Sequence, residues 1–186
     1  MGSTDNFIFY NVDDDYINYL RKEIEPKVLY NKSDLNKRPY VGFVLEINGY
    51  SYLVPLSSQI RKTNDITTVI PNTFTESQKK EPNYEDTYGK YIATIKFNCM
   101  IPVSSEVIKK INLDDLTSSK DDIDYKNLLT KEISYCNDNR DKIRKKAFKT
   151  YNMFIDNKPY KASLIEACCN FPKLETAITN YLNSKK

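Results

Sequence analysis

In the stretch PLSSQIRK, Pro55 to Lys62, two adjacent serines, Ser57 and Ser58, are followed within four residues by Arg61 and Lys62. Hydroxyls beside cations suit an anionic substrate. A guanidinium forks onto phosphate oxygens, and preorganised donors stabilise charge that develops in a transition state. Around an RNA phosphate such groups would serve cleavage without a metal ion. That reaction deprotonates a 2′-OH, passes through a pentavalent phosphorane and protonates the 5′-oxygen. The chain has no histidine, so lysine and tyrosine are the plausible proton-transfer groups. A serine hydrolase finds less support, because there is neither a GxSxG elbow nor a histidine base. The same serines also suit an ordinary polar strand end, since serine is common in turns.

Other chemistries find less support. Cys99, Cys136, Cys168 and Cys169 lack CxxC pairing, and no histidine can complete a zinc site, so buried free thiols are expected. The aspartate runs 13–15, 114–115 and 121–124 contain no DxDxDG loop and mostly precede predicted helices, where they would cap. Four unclustered glycines rule out a glycine-rich phosphate loop. No cofactor or metal is implied.

The elements that must position the serines begin with YVGFVLEINGYSYLVPLSS. Two β-rich runs flank Asn48-Gly49, the preferred pair for a type I′ hairpin turn. The turn pairs Ile47 with Tyr50 and, moving outward, Leu45 with Tyr52, Phe43 with Val54 and Val41 with Leu56, a wholly apolar core face. The solvent face then carries Glu46/Ser51, Val44/Leu53, Gly42/Pro55 and Tyr40/Ser57. Pro39 falls opposite Ser58 and Arg38 opposite Gln59. The open end thus gathers Arg38, Tyr40, Ser57 and Ser58, with Arg61 and Lys62 just beyond.

Elsewhere, NFIFYNV reads as a short strand, DDDYINYLRKEI as a helix capped by Asp13 or Asp14 and ended by Pro26. DITTVIP reads as a short strand, TESQKKEPNYEDTYGK as an exposed loop and YIATIKFNCMIPV as a long or bent strand. Helices follow. Ile143, Ala147, Phe148, Tyr151, Phe154 and Ile155 are expected to form an apolar stripe, with Lys142, Lys145, Lys146 and Lys149 on the outer face. KASLIEACCNFPKLETAITNYL gives two closing helices, the last opening near Pro172. Strands first and helices later argue an α+β fold with a mainly antiparallel sheet and about four flanking helices. The length suggests one domain over 1–186.

The formal net charge is only +3, but residues 141–186 carry 10 Lys/Arg against 4 Asp/Glu, a net of +6. With 15 tyrosines and 8 phenylalanines, this suggests a polyanion partner, phosphates on the cations and bases on the rings. Arg140, Lys142, Lys145, Lys146 and Lys149 would line an RNA groove, or simply form a solvated helix face. The absence of a signal-peptide pattern or long apolar run favours a cytoplasmic protein with no membrane contact. The readings left open are an RNA-cleaving enzyme, a non-catalytic RNA-binding module and a protein-interaction module.

Four blocks, FIFYNVDDDYINYL, RPYVGFVLEINGYSYLVPLSS, ATIKFNCMIPV and CCNFPKLE, resemble in order those of the ToxN/AbiQ endoribonuclease toxins of type III toxin–antitoxin systems. The resemblance implies a strongly twisted antiparallel sheet flanked by helices. It implies metal-independent, sequence-preferring cleavage of cellular or phage mRNA, leaving a 2′,3′-cyclic phosphate and a 5′-hydroxyl, and a role in phage abortive infection. It also implies a small repeat RNA antitoxin, folded as a pseudoknot and processed by the toxin, in a closed toxin–RNA hetero-oligomer. The family has Thr/Ser-Ser after Pro-Leu or Pro-Met, which selects Ser57-Ser58 here, with Ser58 the key hydroxyl. Where similar members carry lysine before the strand, this chain has Arg38. The basic residue expected about two positions after the serines is Ile60 here, so Arg61 or Lys62 must stand in. Tyr16 and Tyr40 are further candidates for stacking or proton transfer.

Overall fold

The computed structural model describes residues 6–31, 39–117 and 119–185. Seven strands are found among them: β1 (Phe9–Val12), β2 (Tyr40–Ile47), β3 (Tyr50–Ser57), β4 (Thr67–Pro71), β5 (Tyr91–Lys96), β6 (Ile101–Val103) and β7 (Ile108–Lys110). They form one antiparallel sheet in the order β4-β5-β3-β2-β1-β7, with β6 also paired to β3. The helices are α1 (Asp14–Tyr19), α2 (Tyr84–Tyr88), α3 (Lys120–Asp138), α4 (Arg140–Asp156), α5 (Ala162–Glu166) and α6 (Phe171–Ser184). The α+β class is as expected. There are six α-helices among the described residues rather than about four, and α2 is a five-residue piece inside the expected loop.

Caps explain where the helices start. The Asp13 carboxylate accepts the Tyr16 N–H at 3.0 Å, and α1 runs on through a π-helical turn, Leu20–Ile24, stopping before Pro26. Asn170 accepts the Lys173 N–H, and Pro172 occupies the first turn of α6. The predicted strand over 91–103 is bent: a 3-10 turn, Phe97–Cys99, separates β5 from β6.

The hairpin turn has Asn48 at φ 53° and Gly49 at φ 79°, as type I′ requires. Ile47, Glu46 and Leu45 pair with Tyr50, Ser51 and Tyr52 in the expected register. Beyond them β2 bulges, so Val41 pairs with Val54 and Tyr40 with Pro55, not with Leu56 and Ser57. Gly42 lies in the bulge. Its N–H donates to the Ile8 carbonyl at 3.0 Å, and a Cβ there would lie 2.4 Å from Tyr10 Cε2. The Leu56 N–H continues the shifted register by donating to the Pro39 carbonyl at 3.0 Å. The serines therefore run past their expected partners and are held from the other edge, where Leu56 pairs with Ile95 and Ser57 with Thr94.

The expected solvent face of the hairpin is also corrected. β3 is central, and its residues Tyr52 to Ser57 are all buried. Tyr52 donates to Glu175 at 2.7 Å and Tyr151 donates to the same carboxylate oxygen at 2.9 Å, while Asn48 donates to the Tyr151 hydroxyl at 3.0 Å. These bonds tie the hairpin turn to α4 and α6, beside the stacked rings of Tyr151 and Phe171 at 5.5 Å. Of the predicted stripe on α4, Ile143, Ala147 and Tyr151 are buried and Phe154 packs on Phe171. Phe148 and Ile155 are exposed instead. At roughly 100° per residue both sit well over 100° from Ile143, off the buried stripe. All four cysteines are buried free thiols. No helix among the described residues is long and apolar enough to cross a membrane.

Candidate active site

Ser57 ends β3, and Ser58, Arg61 and Lys62 follow on the connection to β4, whose backbone is pinned at several points. The Ser57 side chain is nearly buried and its Oγ accepts the Gln59 N–H at 3.2 Å, a local turn bond. Ser58 is exposed. The Thr94 hydroxyl donates to the Gln59 carbonyl at 3.0 Å and accepts the Arg61 N–H at 3.0 Å. The exposed Arg61 guanidinium donates to Gln59 Oε1 at 3.2 Å. Further along, Thr67 Oγ1 donates to the Lys62 carbonyl at 2.8 Å, and Asn64 Oδ1 accepts the Ile66 N–H at 2.9 Å. The loop thus has a fixed backbone and outward-facing polar side chains.

The loop continues through Asn64 and Asp65 into an open groove of about 920 Å³ along α4. Lys142, Lys145, Lys146 and Lys149 line it with Phe148, Lys158, Tyr160 and Lys161. Tyr160 is 76% exposed and Phe148 49%, so two ring faces stand among the cations. The carboxylates Asp65 and Asp156 also line the groove, ion-paired with Lys161 and Lys158. The Lys161 bond holds the Asp65 carboxyl below its usual pKa. Lys146 is not on the outer face expected for it. Its ammonium donates to the Thr67 carbonyl and Thr68 Oγ1, both at 2.7 Å, and burial lowers its pKa. It fastens α4 to the sheet while still contributing charge to the groove wall.

Three expected site residues are placed elsewhere, and a fourth falls outside the described residues. Tyr16 is fully buried and donates to the Pro102 carbonyl at 2.9 Å. Tyr40 is fully buried too, because the face of the hairpin it shares with Pro55 is covered, and its hydroxyl donates to the Leu29 carbonyl at 3.4 Å. Neither offers a ring face to a base. Arg140 does not line the groove, and its guanidinium donates to Asn6 Oδ1 at 2.7 Å. Arg38 lies outside the described residues.

The family model for the ToxN toxin of type III toxin–antitoxin systems matches residues 8–179. The chain belongs to this family. Endoribonuclease ToxN of Bacillus thuringiensis subsp. kurstaki is 34% identical over 184 residues, covering 97% of this chain and 87% of that protein. A solved structure from work on selective inhibition of a type III toxin by a non-coding RNA pseudoknot superposes with a TM-score of 0.78. It has 32% identity and covers 95% of this chain and 98% of its own. AbiQ, a lactococcal anti-phage endoribonuclease of a type III system, superposes with a TM-score of 0.74 at 26% identity, over 98% of this chain and all of its own.

In this member of the ToxN family the serine loop and the α4 groove contain functional candidates that sequence pattern alone does not reveal. Thr94 looks like any polar residue in an alternating strand. Phe148 reads as core until its helical angle is compared with Ile143. Tyr160 follows Pro159 in a polar stretch, which is the weak signal that places it at the surface.

Proposed function

We propose that this endoribonuclease toxin cleaves RNA without a metal ion, by attack of a ribose 2′-OH on the adjacent phosphorus, leaving a 2′,3′-cyclic phosphate and a 5′-hydroxyl. The observation that carries this reading is an exposed Ser58 three residues before Arg61 on a loop whose backbone is fixed by Thr94. The Ser58 hydroxyl donates to a non-bridging phosphate oxygen, and Arg61 forks onto the developing phosphorane. Arg61, held at both its amide and its guanidinium, takes the place of the cation missing at Ile60. Lys62 is then the neighbouring proton-transfer group, now that Tyr16 and Tyr40 are in the core. Arg38 supplies a second cation. The strand beyond the cut site runs along Lys142, Lys145 and Lys149, with unpaired bases on Phe148 and Tyr160.

By analogy with its relatives, the antitoxin is a repeat RNA that folds as a pseudoknot, is processed by the toxin and occupies this same surface in a closed toxin–RNA assembly. Release from it in the cytoplasm would expose mRNA to cleavage and abort phage infection. Expression in bacteria tests the reading. Wild type should halt growth, co-expression of the repeat RNA should relieve the block, and Ser58→Ala and Arg38→Ala should be harmless. A Ser58→Ala protein as toxic as wild type would remove the proposed centre.

A further inference from the structure

We infer that Thr94 is a positioning residue for RNA cleavage, setting Ser58 and Arg61 in place through one buried hydroxyl without touching RNA. The inference rests on the reading of Ser58 and Arg61 as the reacting loop.

Thr94 is on β5 and is fully buried, so it reaches no substrate. Its backbone is the ladder partner of Ser57, the residue before Ser58. Its hydroxyl donates to the carbonyl of Gln59, the residue after Ser58, at 3.0 Å. The same oxygen accepts the Arg61 N–H at 3.0 Å. Thr94 therefore holds both chain neighbours of Ser58 and the backbone of Arg61 together. A hydroxyl offers one donor and two acceptor sites, and both functions are used here. Threonine is branched at Cβ, so its side chain is stiff and the hydroxyl has a defined direction. The Gln59 carbonyl and Arg61 N–H each find in Thr94 a partner that the β3–β5 ladder does not supply. Gln59 completes the arrangement, because its side-chain oxygen accepts from the Arg61 guanidinium at 3.2 Å. Serine, cation and the residue that aims the cation are thus referred to one fixed point on the next strand.

Thr94→Val keeps the branched shape and removes both bonds, while Thr94→Ser keeps the hydroxyl and removes the methyl. The experiment is steady-state cleavage of a mixed-sequence RNA transcript over a range of RNA concentrations by wild type and both variants, with thermal unfolding measured on the same preparations. Displacement of a reacting group by about 1 Å costs on the order of 100-fold in rate, so Thr94→Val should lose about that in kcat. KM should hardly change, because the α4 groove is untouched, and Thr94→Ser should recover most of the rate. Thr94→Val cleaving at the wild-type rate would overturn the inference. So would a rise in KM with kcat intact, or a loss that merely follows the folded fraction and that Thr94→Ser does not rescue.

Should Thr94→Val fail to fold, amide exchange in the wild-type protein decides. The Arg61 N–H should be protected although its side chain is exposed, and exchange at an open-loop rate would overturn the inference. A wild-type protein that cleaves nothing defeats the functional reading itself, and this inference with it. An active wild type with an unaffected Thr94→Val defeats this inference alone.

Discussion

Ser57 and Ser58 are adjacent in the chain and opposite in environment: Ser57 is nearly buried with its Oγ accepting the Gln59 N–H, and Ser58 is exposed. Under the proposed mechanism the difference makes Ser57 a structural hydroxyl and Ser58 the chemical one. Ser57→Ala should cost about 1 kcal/mol of stability by removing a turn bond, with cleavage per folded molecule retained. Ser58→Ala should change stability by less than about 1 kcal/mol, as exposed substitutions do, and abolish cleavage. Urea denaturation alongside an RNA cleavage assay checks both, and the reverse pattern would exchange the two roles.

Gly42 sits where the hairpin bulges, against the Tyr10 ring and the Ile8 carbonyl. A Cβ would lie 2.8 Å and 2.4 Å from two Tyr10 ring carbons and 2.9 Å from that backbone oxygen. Tyr10 can turn aside in part, but the carbonyl cannot. Gly42→Ala should therefore destabilise the fold by about 1–3 kcal/mol, the usual range for overpacking, read as a lowered denaturant midpoint.

The bulge also marks the limit of what the sequence could tell. The Asn48-Gly49 turn, the inner register and the α6 start at Pro172 are all legible, because each depends on residues close together in the chain. The outer register is not. It depends on how closely β1 approaches Gly42, a contact between segments more than 30 residues apart. The same holds for Thr94, whose burial comes from a loop of another strand folding over it. Tyr40 is buried for a different reason: the hairpin face that the sequence pattern leaves to solvent is covered, as the buried Leu53, Pro55 and Ser57 show. Phe148 differs, since its angle on α4 was available from the sequence and only the groove beside it was not.

The lysines along α4 should divide by what they bind. Lys145 and Lys149 are exposed on the groove wall. Alanine at either should weaken RNA binding similarly for all sequences and reduce the slope of log K against log salt by about 0.7, the value for one single-strand phosphate contact. Lys146 bonds to Thr67 and Thr68, so Lys146→Ala should lower thermal stability as well. Filter binding over a salt series and thermal unfolding separate the two effects.

Glu132 of α3 is buried, one of its carboxylate oxygens has no hydrogen-bond partner among the described residues, and burial pushes its pKa up to about 8. Between its ordinary value of 4.5 and about 8 the folded state holds a proton that the unfolded state has released. Stability from this group is present in full below pH 4.5, declines as pH rises, and levels off above about pH 8. Each pH unit within the window is worth at most about 1.4 kcal/mol. Glu132→Gln should flatten the decline and be more stable than wild type at pH 8. Urea unfolding from pH 5 to pH 9 measures it, and parallel curves for the two proteins would exclude the effect.

The central claim is tested most directly by the chemistry of the RNA ends. Purified wild-type protein is incubated with an RNA transcript in excess EDTA, and the product termini are mapped. The account predicts efficient cleavage, 2′,3′-cyclic phosphate and 5′-hydroxyl ends, and no products with Ser58→Ala. Cleavage that EDTA abolishes, or products bearing 5′-phosphates, would contradict it.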